Sequence, residues 1–423
     1  MNKPKPTLGA YLVGAYLFCV PAFGYSESLG LLIIPQIIGI LLVAYAIADI
    51  LIRQSIKIPI EIRLYGLMGL WAVITFYFAA SGGEWAPLIT MVKVVIATLA
   101  CAQLIKSDAD FFIALKIFVF SILLIYIQNR GDLLLLRVSD TLTEDDRFAG
   151  TLSNANVAAI FSLTVFWACV FLLLKSGKRF FSWVFYLFPM GISLLIIYYS
   201  GSKKGLFGIG LFVLFLTRLL YMRQHSSVFR KVLIILVSVS LIIIGGYYIY
   251  TSPFFSRIER LFQDMPGTDI NRLTLAFEAV DVWLMNLKTF FIGVGYDNFR
   301  YFSILQAYSH STPLELLACN GIIGFSLFAG FLYLLIRKFI FLHRRAVSQE
   351  TKSVFFSILA FLFIYVFFIM AAVLHDSREL LPLLGGLAAL GQYRLGLLEQ
   401  GRVTEPPISV MHEAVIVPAK DSF

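Results

Sequence analysis

The sequence predicts an all-α polytopic membrane protein, with about twelve transmembrane helices and a structured helical loop on the outer, periplasmic side. Three observations predict it. Of 423 residues, 59% are hydrophobic and 14% charged. A soluble domain is nearer half apolar and a quarter charged, so too few polar groups remain here to cover a water-facing surface. Apolar runs close to the roughly 20 residues that a bilayer core requires recur along the chain. Finally, Lys and Arg gather in alternate connections between those runs.

The expected spans lie at about 8–24, 28–51, 64–80, 87–105, 110–128, 155–174, 181–199, 205–222, 232–250, 314–336, 353–374 and 379–393. The N-terminus has a basic start followed by an apolar run. It lacks a convincing small-residue cleavage site, and is expected to be a retained first helix. Twelve spans put both termini on one side. With a cytoplasmic N-terminus, twenty Lys and Arg fall on the cytoplasmic side and eleven on the outer side, although the outer segments are longer. That bias is the positive-inside signature, and it sets the orientation. Residues 1–399 then form one transmembrane domain, and 400–423, with Pro406, Pro407 and mixed charges, a disordered cytoplasmic tail.

Two outer connections are long, about 129–153 and 251–313. Long loops with structure of their own tend to carry function. Within the second, Ile270, Leu273, Phe277, Val280, Leu284 and Leu287 repeat at spacings of three and four. This predicts a helix over about 270–289, capped by Thr268 or Asp269. Its apolar stripe is expected to pack on the spans, leaving Glu278 on the wet side. A Gly-rich turn, FIGVGYDNF, follows.

Composition and motifs exclude several classes. The net charge of +9 reflects cytoplasmic loops, so no nucleic-acid partner is expected. No Walker A, GxGxxG after a strand, HExxH or GxSxG motif occurs, which argues against a cytoplasmic nucleotide-driven role. Cys19, Cys101, Cys169 and Cys319 have no paired spacing and read as small core residues. The run Glu144–Asp146 cannot place three ligands on one ion without a special loop, so no metal is expected. Lys93 and Lys116 fall inside spans; Lys116 reads as snorkelling and Lys93 as a candidate functional cation.

The candidate chemistry lies outside. Only His310 and His375 face outward, and histidine accepts a proton near neutral pH. The outer cations Lys203, Lys204, Arg272, Arg147 and Arg378 run against the positive-inside rule. Each alone could snorkel among headgroups, but a group converging on one cavity would hold a diphosphate.

Four ordered blocks resemble the O-antigen ligase and polymerase superfamily of bacterial membrane glycosyltransferases. They are RFAGTLSNANVAA, SGSKKGLFG, the Arg272 helix running into GVGYDNF, and HSTPLELLACNGIIGFSLF. The resemblance covers about residues 140–390 and implies a GT-C-like fold. It implies transfer of a glycan from undecaprenyl diphosphate to an acceptor hydroxyl, with no metal and no cofactor. The acceptor would be a lipid-linked glycan for a polymerase, or lipid A core for a ligase. The basic pair in the second block resembles polymerases more than ligases. The resemblance also implies the bacterial inner membrane, contact with membrane lipids and a chain-length regulator as partner. Carried over by position, His310 is the base, and Lys203, Lys204 and Arg272 hold the diphosphate, with Arg147 and Arg378 beside them. Glu315, Asn154 and Asn156 support the site, Glu315 by orienting the His310 ring. Lys203 stands where the family has Arg, keeping the charge and losing the bidentate fork. If His310 were structural, the base would lie among Asp297, Glu315 and Asp376. Two other classes stay open: a lipid-linked glycan flippase, and a metal-dependent transferase using Glu144–Asp146.

Overall fold

The computed structural model describes residues 5–23, 33–79, 83–130, 152, 154–176, 180–223 and 267–400. Helices occupy eleven of the twelve expected positions; the span expected at 232–250 lies outside the described residues. In chain order they are α1 Leu8–Phe23, α2 Ile33–Arg53, α3 Ile60–Tyr77, α4 Trp85–Leu104, α5 Asp108–Val119, α6 Ser121–Gln128, α7 Ala155–Ser176, α8 Phe180–Tyr199 and α9 Lys203–Arg223. After a gap come α10 Gly267–Leu284, α11 Leu287–Ile292, α12 Thr312–Arg345, α13 Gln349–Ile369 and α14 Leu381–Glu399. Among the described residues, seven helical segments are long and apolar enough to cross a membrane. Elements α5 and α6 form one of these, joined at Phe120.

The organising element is α7. From Ala158 to Leu174 every residue is buried, because α5, α8, α9 and α13 surround it. A helix apolar on all faces belongs in such an interior. Lipid is as apolar as Leu, so this burial stabilises through close packing and hydrogen bonds rather than through expulsion of water. Trp167 supplies both. Its ring stacks on Phe361 at 4.4 Å, and its Nε1 donates to the Ser357 carbonyl at 2.9 Å. Lys93 and Lys116 are exposed on the surfaces of α4 and α5, and all four cysteines are buried and unbridged.

The bundle's two ends differ in chemistry. Where α3 and α5 begin and α2, α4, α12 and α14 end, charged groups pair with one another. Lys106 and Arg53 hold Asp49, Arg394 holds Asp108, and Lys338 holds the fully buried Glu61. The opposite end, where α4, α7, α9, α12 and α14 begin, holds a cavity.

Helix α12 is broken near that end. Gly321 has φ 64° and ψ −171°, so the helical ladder stops and restarts. The carbonyls released are taken up from outside: Val294 N–H donates to Ala318 O and Gly295 N–H to Cys319 O, both at 2.9 Å, and Trp71 Nε1 to Asn320 O at 2.9 Å. Two backbones cross here with no room for a side chain. A Cβ on Gly321 would lie 2.3 Å from the Phe291 carbonyl, and one on Gly293 would lie 2.3 Å from that of Cys319. The Gly-rich turn and the glycine of α12 therefore form one joint.

Four expectations need correction. The loop helix divides into α10 and α11, because the Asn286 side chain caps a new helix, accepting from Thr289 N–H at 3.0 Å. Its apolar stripe does not pack on the bundle: Leu273, Phe277, Leu284 and Leu287 are exposed, and the buried face is Leu275, Ala279 and Val282. Ala279 allows α10 to approach α12 closely, and the larger residues are left outward. Glu278 accordingly does not face water; both its carboxylate oxygens are buried, with no partner among the described residues. Finally, the span expected at 353–374 ends at Ile369, and residues 371–376 leave the helix to line the cavity.

Candidate functional site

The cavity has a volume of about 250 Å3. Its walls come from the start of α7 (Asn154, Asn156, Val157), the start of α9 (Lys204) and the turn after α11 (Tyr296, Asp297). The approach to α12 with its first turns (Tyr308, His310, Glu315, Cys319) and the segment 371–376 complete them. Three helices thus begin at its walls. Unpaired N–H groups and the positive ends of the helix dipoles make such places favourable for anions.

The two asparagines build these starts. Asn154 Oδ1 accepts from the N–H groups of Asn156 at 2.9 Å and Val157 at 3.0 Å, capping α7. Asn156 Oδ1 accepts from the Ser202 hydroxyl at 2.9 Å, and Ser202 Oγ accepts from Gly205 N–H at 3.3 Å, capping α9. The start of α9, which carries Lys204, is thereby tied to the start of α7.

His310 is half-buried in the left-handed region, at φ 58°. A non-glycine residue there costs on the order of 1–3 kcal/mol, and persists only where its surroundings impose it. The fully buried Glu315 imposes it: its Oε2 accepts from Ser309 N–H at 2.7 Å, and its Oε1 from the Cys319 thiol at 3.4 Å. Glu315 therefore fixes the backbone before His310, where the sequence suggested a contact with the ring. The ring itself lies against Tyr308, with centroids 4.4 Å apart. Burial lowers the imidazole pKa below its ordinary value, and the positive charges of Arg272 and Lys204 lower it further. His310 is thus a neutral base at pH 7.

The structure brings together Lys204, His310, Glu315, Asn154 and Asn156, and Arg272 acts on His310 from the first turns of α10. It does not bring Arg378 in; that guanidinium donates to Thr90 Oγ1 on α4 at 3.5 Å. Lys203 opens α9, and its side chain is not described. Arg147 and Glu144–Asp146 lie outside the described residues.

One further group was only partly visible in the sequence. Asp297 also has a positive φ, 57°, and its carboxylate meets Arg300 Nη2 at 3.1 Å. Burial pushes its pKa up to about 6; Arg300 opposes the rise, and Asp376 and Glu84 add to it. Tyr296 donates to Asp376 Oδ2 at 3.2 Å. The ring of His375 stands edge-on to Tyr296, and its carbonyl accepts from Tyr65 OH at 2.9 Å.

Comparison with known proteins finds a family match over part of the chain. Residues 188–329 match the family model for O-antigen ligase. The match covers about a third of the chain and supports the O-antigen ligase and polymerase superfamily. No curated protein matches the chain. Within the O-antigen ligase segment lie Lys204, Arg272, Asp297, His310 and Glu315; Asn154, Asn156 and residues 371–376 fall outside it.

Proposed function

We propose that the chain is a multi-pass glycosyltransferase of the bacterial inner membrane, acting in O-antigen or capsular polysaccharide assembly. It crosses the membrane twelve times with both termini cytoplasmic, and its cavity opens to the periplasm. The donor is a glycan on undecaprenyl diphosphate, and the reaction is polymerisation of lipid-linked repeat units, with a chain-length regulator as partner. One observation carries this reading: a neutral histidine shares a cavity with a lysine and three helix starts, and an arginine acts on it from α10.

The chemistry needs no nucleotide. The acceptor hydroxyl gives its proton to His310 as its oxygen bonds to the anomeric carbon. The bond from that carbon to the diphosphate oxygen breaks, and the diphosphate leaves with the electron pair. Lys204, Arg272 and the starts of α7 and α9 meet the negative charge that develops there. The isoprenoid tail stays in the membrane beside the bundle. Lys203, Arg147 and Arg378 are assigned supporting roles toward the diphosphate, Arg378 from its place against Thr90 of α4 rather than from the cavity.

A second reading keeps the donor and changes the acceptor. The matched family is described as O-antigen ligase, which favours lipid A core as acceptor. Deletion followed by glycan analysis separates the two. Single uncapped repeats on lipid A core indicate a polymerase, and unligated long chains a ligase. Purified His310→Ala should lose about 10²–10⁴-fold in transfer while still binding donor, the range for loss of a general base. Transfer at a near wild-type rate would refute the assignment.

A further inference from the structure

The charged groups of the cavity fall into two sets. The charged groups acting on His310 are Arg272 and Lys204, both cationic. Those acting on Asp297 are Arg300, Asp376 and Glu84, and Asp297 in turn acts on the buried Glu315, which holds the backbone before His310. The cationic wall accounts for a diphosphate. It leaves unexplained why Asp297 and Asp376 line the same small space, since carboxylates repel phosphate. It also leaves His375, only 4% exposed, with an Nδ1 that has no hydrogen-bond partner among the described residues.

We propose that the wall formed by Asp297, Asp376, Tyr296 and His375 is the subsite for the hydroxyl groups of the acceptor sugar. The inference rests on the glycosyltransferase reading and deepens it. Ionised carboxylates only accept hydrogen bonds, and sugar hydroxyls are the neutral donors that match them. The Asp376 carboxylate is already oriented by the Tyr296 hydroxyl. Asp297 is held by the Gly293–Gly295 turn in a left-handed conformation that the chain would not otherwise adopt. The unpartnered His375 ring nitrogen adds one more polar contact for a hydroxyl, and its backbone is fixed by Tyr65. Repulsion between these carboxylates and phosphate also sorts the substrates. The anionic end of the donor is driven to Lys204 and Arg272, and the neutral saccharide is left to the acidic wall. The acceptor is thereby recognised through its hydroxyls and not through a diphosphate of its own.

Two probes test this on the detergent-solubilised full chain by calorimetry. One is farnesyl diphosphate, which carries the diphosphate and prenyl group without sugar. The other is the repeat-unit oligosaccharide released from its lipid by mild acid, which carries sugar without phosphate. Asp297→Asn should weaken oligosaccharide binding by about tenfold to a hundredfold, the loss of one or two charge-assisted hydrogen bonds, and leave farnesyl diphosphate binding within about twofold. Asn tolerates a positive φ, and retained farnesyl diphosphate binding certifies the fold. Asp376→Asn should behave the same way, and Lys204→Ala the opposite way. The inference is overturned if Asp297→Asn binds the oligosaccharide as wild type does, if it loses both probes equally, or if wild type binds no oligosaccharide. Failure of wild type to bind farnesyl diphosphate would instead strike the glycosyltransferase reading itself.

Discussion

Gly321→Ala tests the joint on which the cavity depends. The new Cβ would sit 2.3 Å from both the carbonyl carbon and the oxygen of Phe291, and 2.5 Å from the Ile292 nitrogen. All three are backbone atoms, so no rotamer change relieves the overlap. The backbone at φ 64°, ψ −171° is in a region that essentially only glycine occupies, at a cost of about 1–3 kcal/mol for another residue. Relieving the overlap separates the two backbones and breaks the Val294–Ala318 and Gly295–Cys319 hydrogen bonds, worth about 1 kcal/mol each. The expected destabilisation of the joint is therefore about 3–5 kcal/mol, comparable to an entire modest folding free energy. The control is Gly191→Ala in α8, where nothing lies within 4 Å of the new Cβ; it should be neutral or stabilise by up to about 1 kcal/mol. Thermal unfolding in detergent micelles and glycan transfer are measured on both. A Gly321→Ala protein that melts with Gly191→Ala and transfers normally would refute the role of the joint.

Two other expectations follow from the charges. Activity should fall as pH drops through the lowered pKa of His310, giving an acid limb of kcat/KM below the ordinary histidine value of about 6.5. Removing a neighbouring cation makes imidazolium less costly, so Lys204→Ala should move that limb to higher pH, and an unmoved limb would show that Lys204 does not face His310. Lys338→Met should cost about 3–5 kcal/mol, because the fully buried Glu61 is left charged and unpaired. The double variant Lys338→Met, Glu61→Leu should recover most of that loss in thermal unfolding, whereas an additive double variant would mean that the pair is not coupled.

The bundle was legible in the sequence because apolar length and charge placement are one-dimensional signals. A 20-residue apolar run reads the same whether its helix faces lipid, as much of α2 does, or other helices, as α7 does, so the helices were found and their depth in the bundle was not. Motif order and outer placement singled out Lys204 and His310, which share the cavity, but also Arg378, which lies outside it. The wall at 371–376 was not, because Ala371, Ala372, Val373 and Leu374 count as membrane in any hydropathy window. The dense run His375, Asp376, Arg378, Glu379 just after them was the available signal that the helix had already ended. The face of α10 was misread for a related reason. A stripe of large apolar residues marks an amphipathic helix but does not say whether protein or lipid meets it, and here small Ala279 faces the protein. The positive φ values of His310 and Asp297 had no sequence signal, since they are imposed by Glu315 and by the glycine joint.

In the proposed reaction the same charges bind the diphosphate and prepare the base, which couples its two halves. Before the donor arrives, burial holds His310 neutral, and Arg272, Lys204 and the nearby helix starts add to this, because each raises the cost of a second positive charge beside it. Each helix start contributes the equivalent of about half a charge. A bound diphosphate cancels much of that field, so the imidazole becomes a stronger base only when there is something for it to act upon. As the anomeric bond breaks, the leaving diphosphate gains further negative charge while the imidazole gains a proton. The two new charges have opposite signs and form within one cavity, screened by little water, so each lowers the cost of the other. An empty cavity accordingly holds a weak base among cations, and an occupied one holds a nearly neutral set of groups in which a proton can move. On this account the histidine belongs on the cationic wall, although a base for the acceptor hydroxyl could have been placed among the carboxylates.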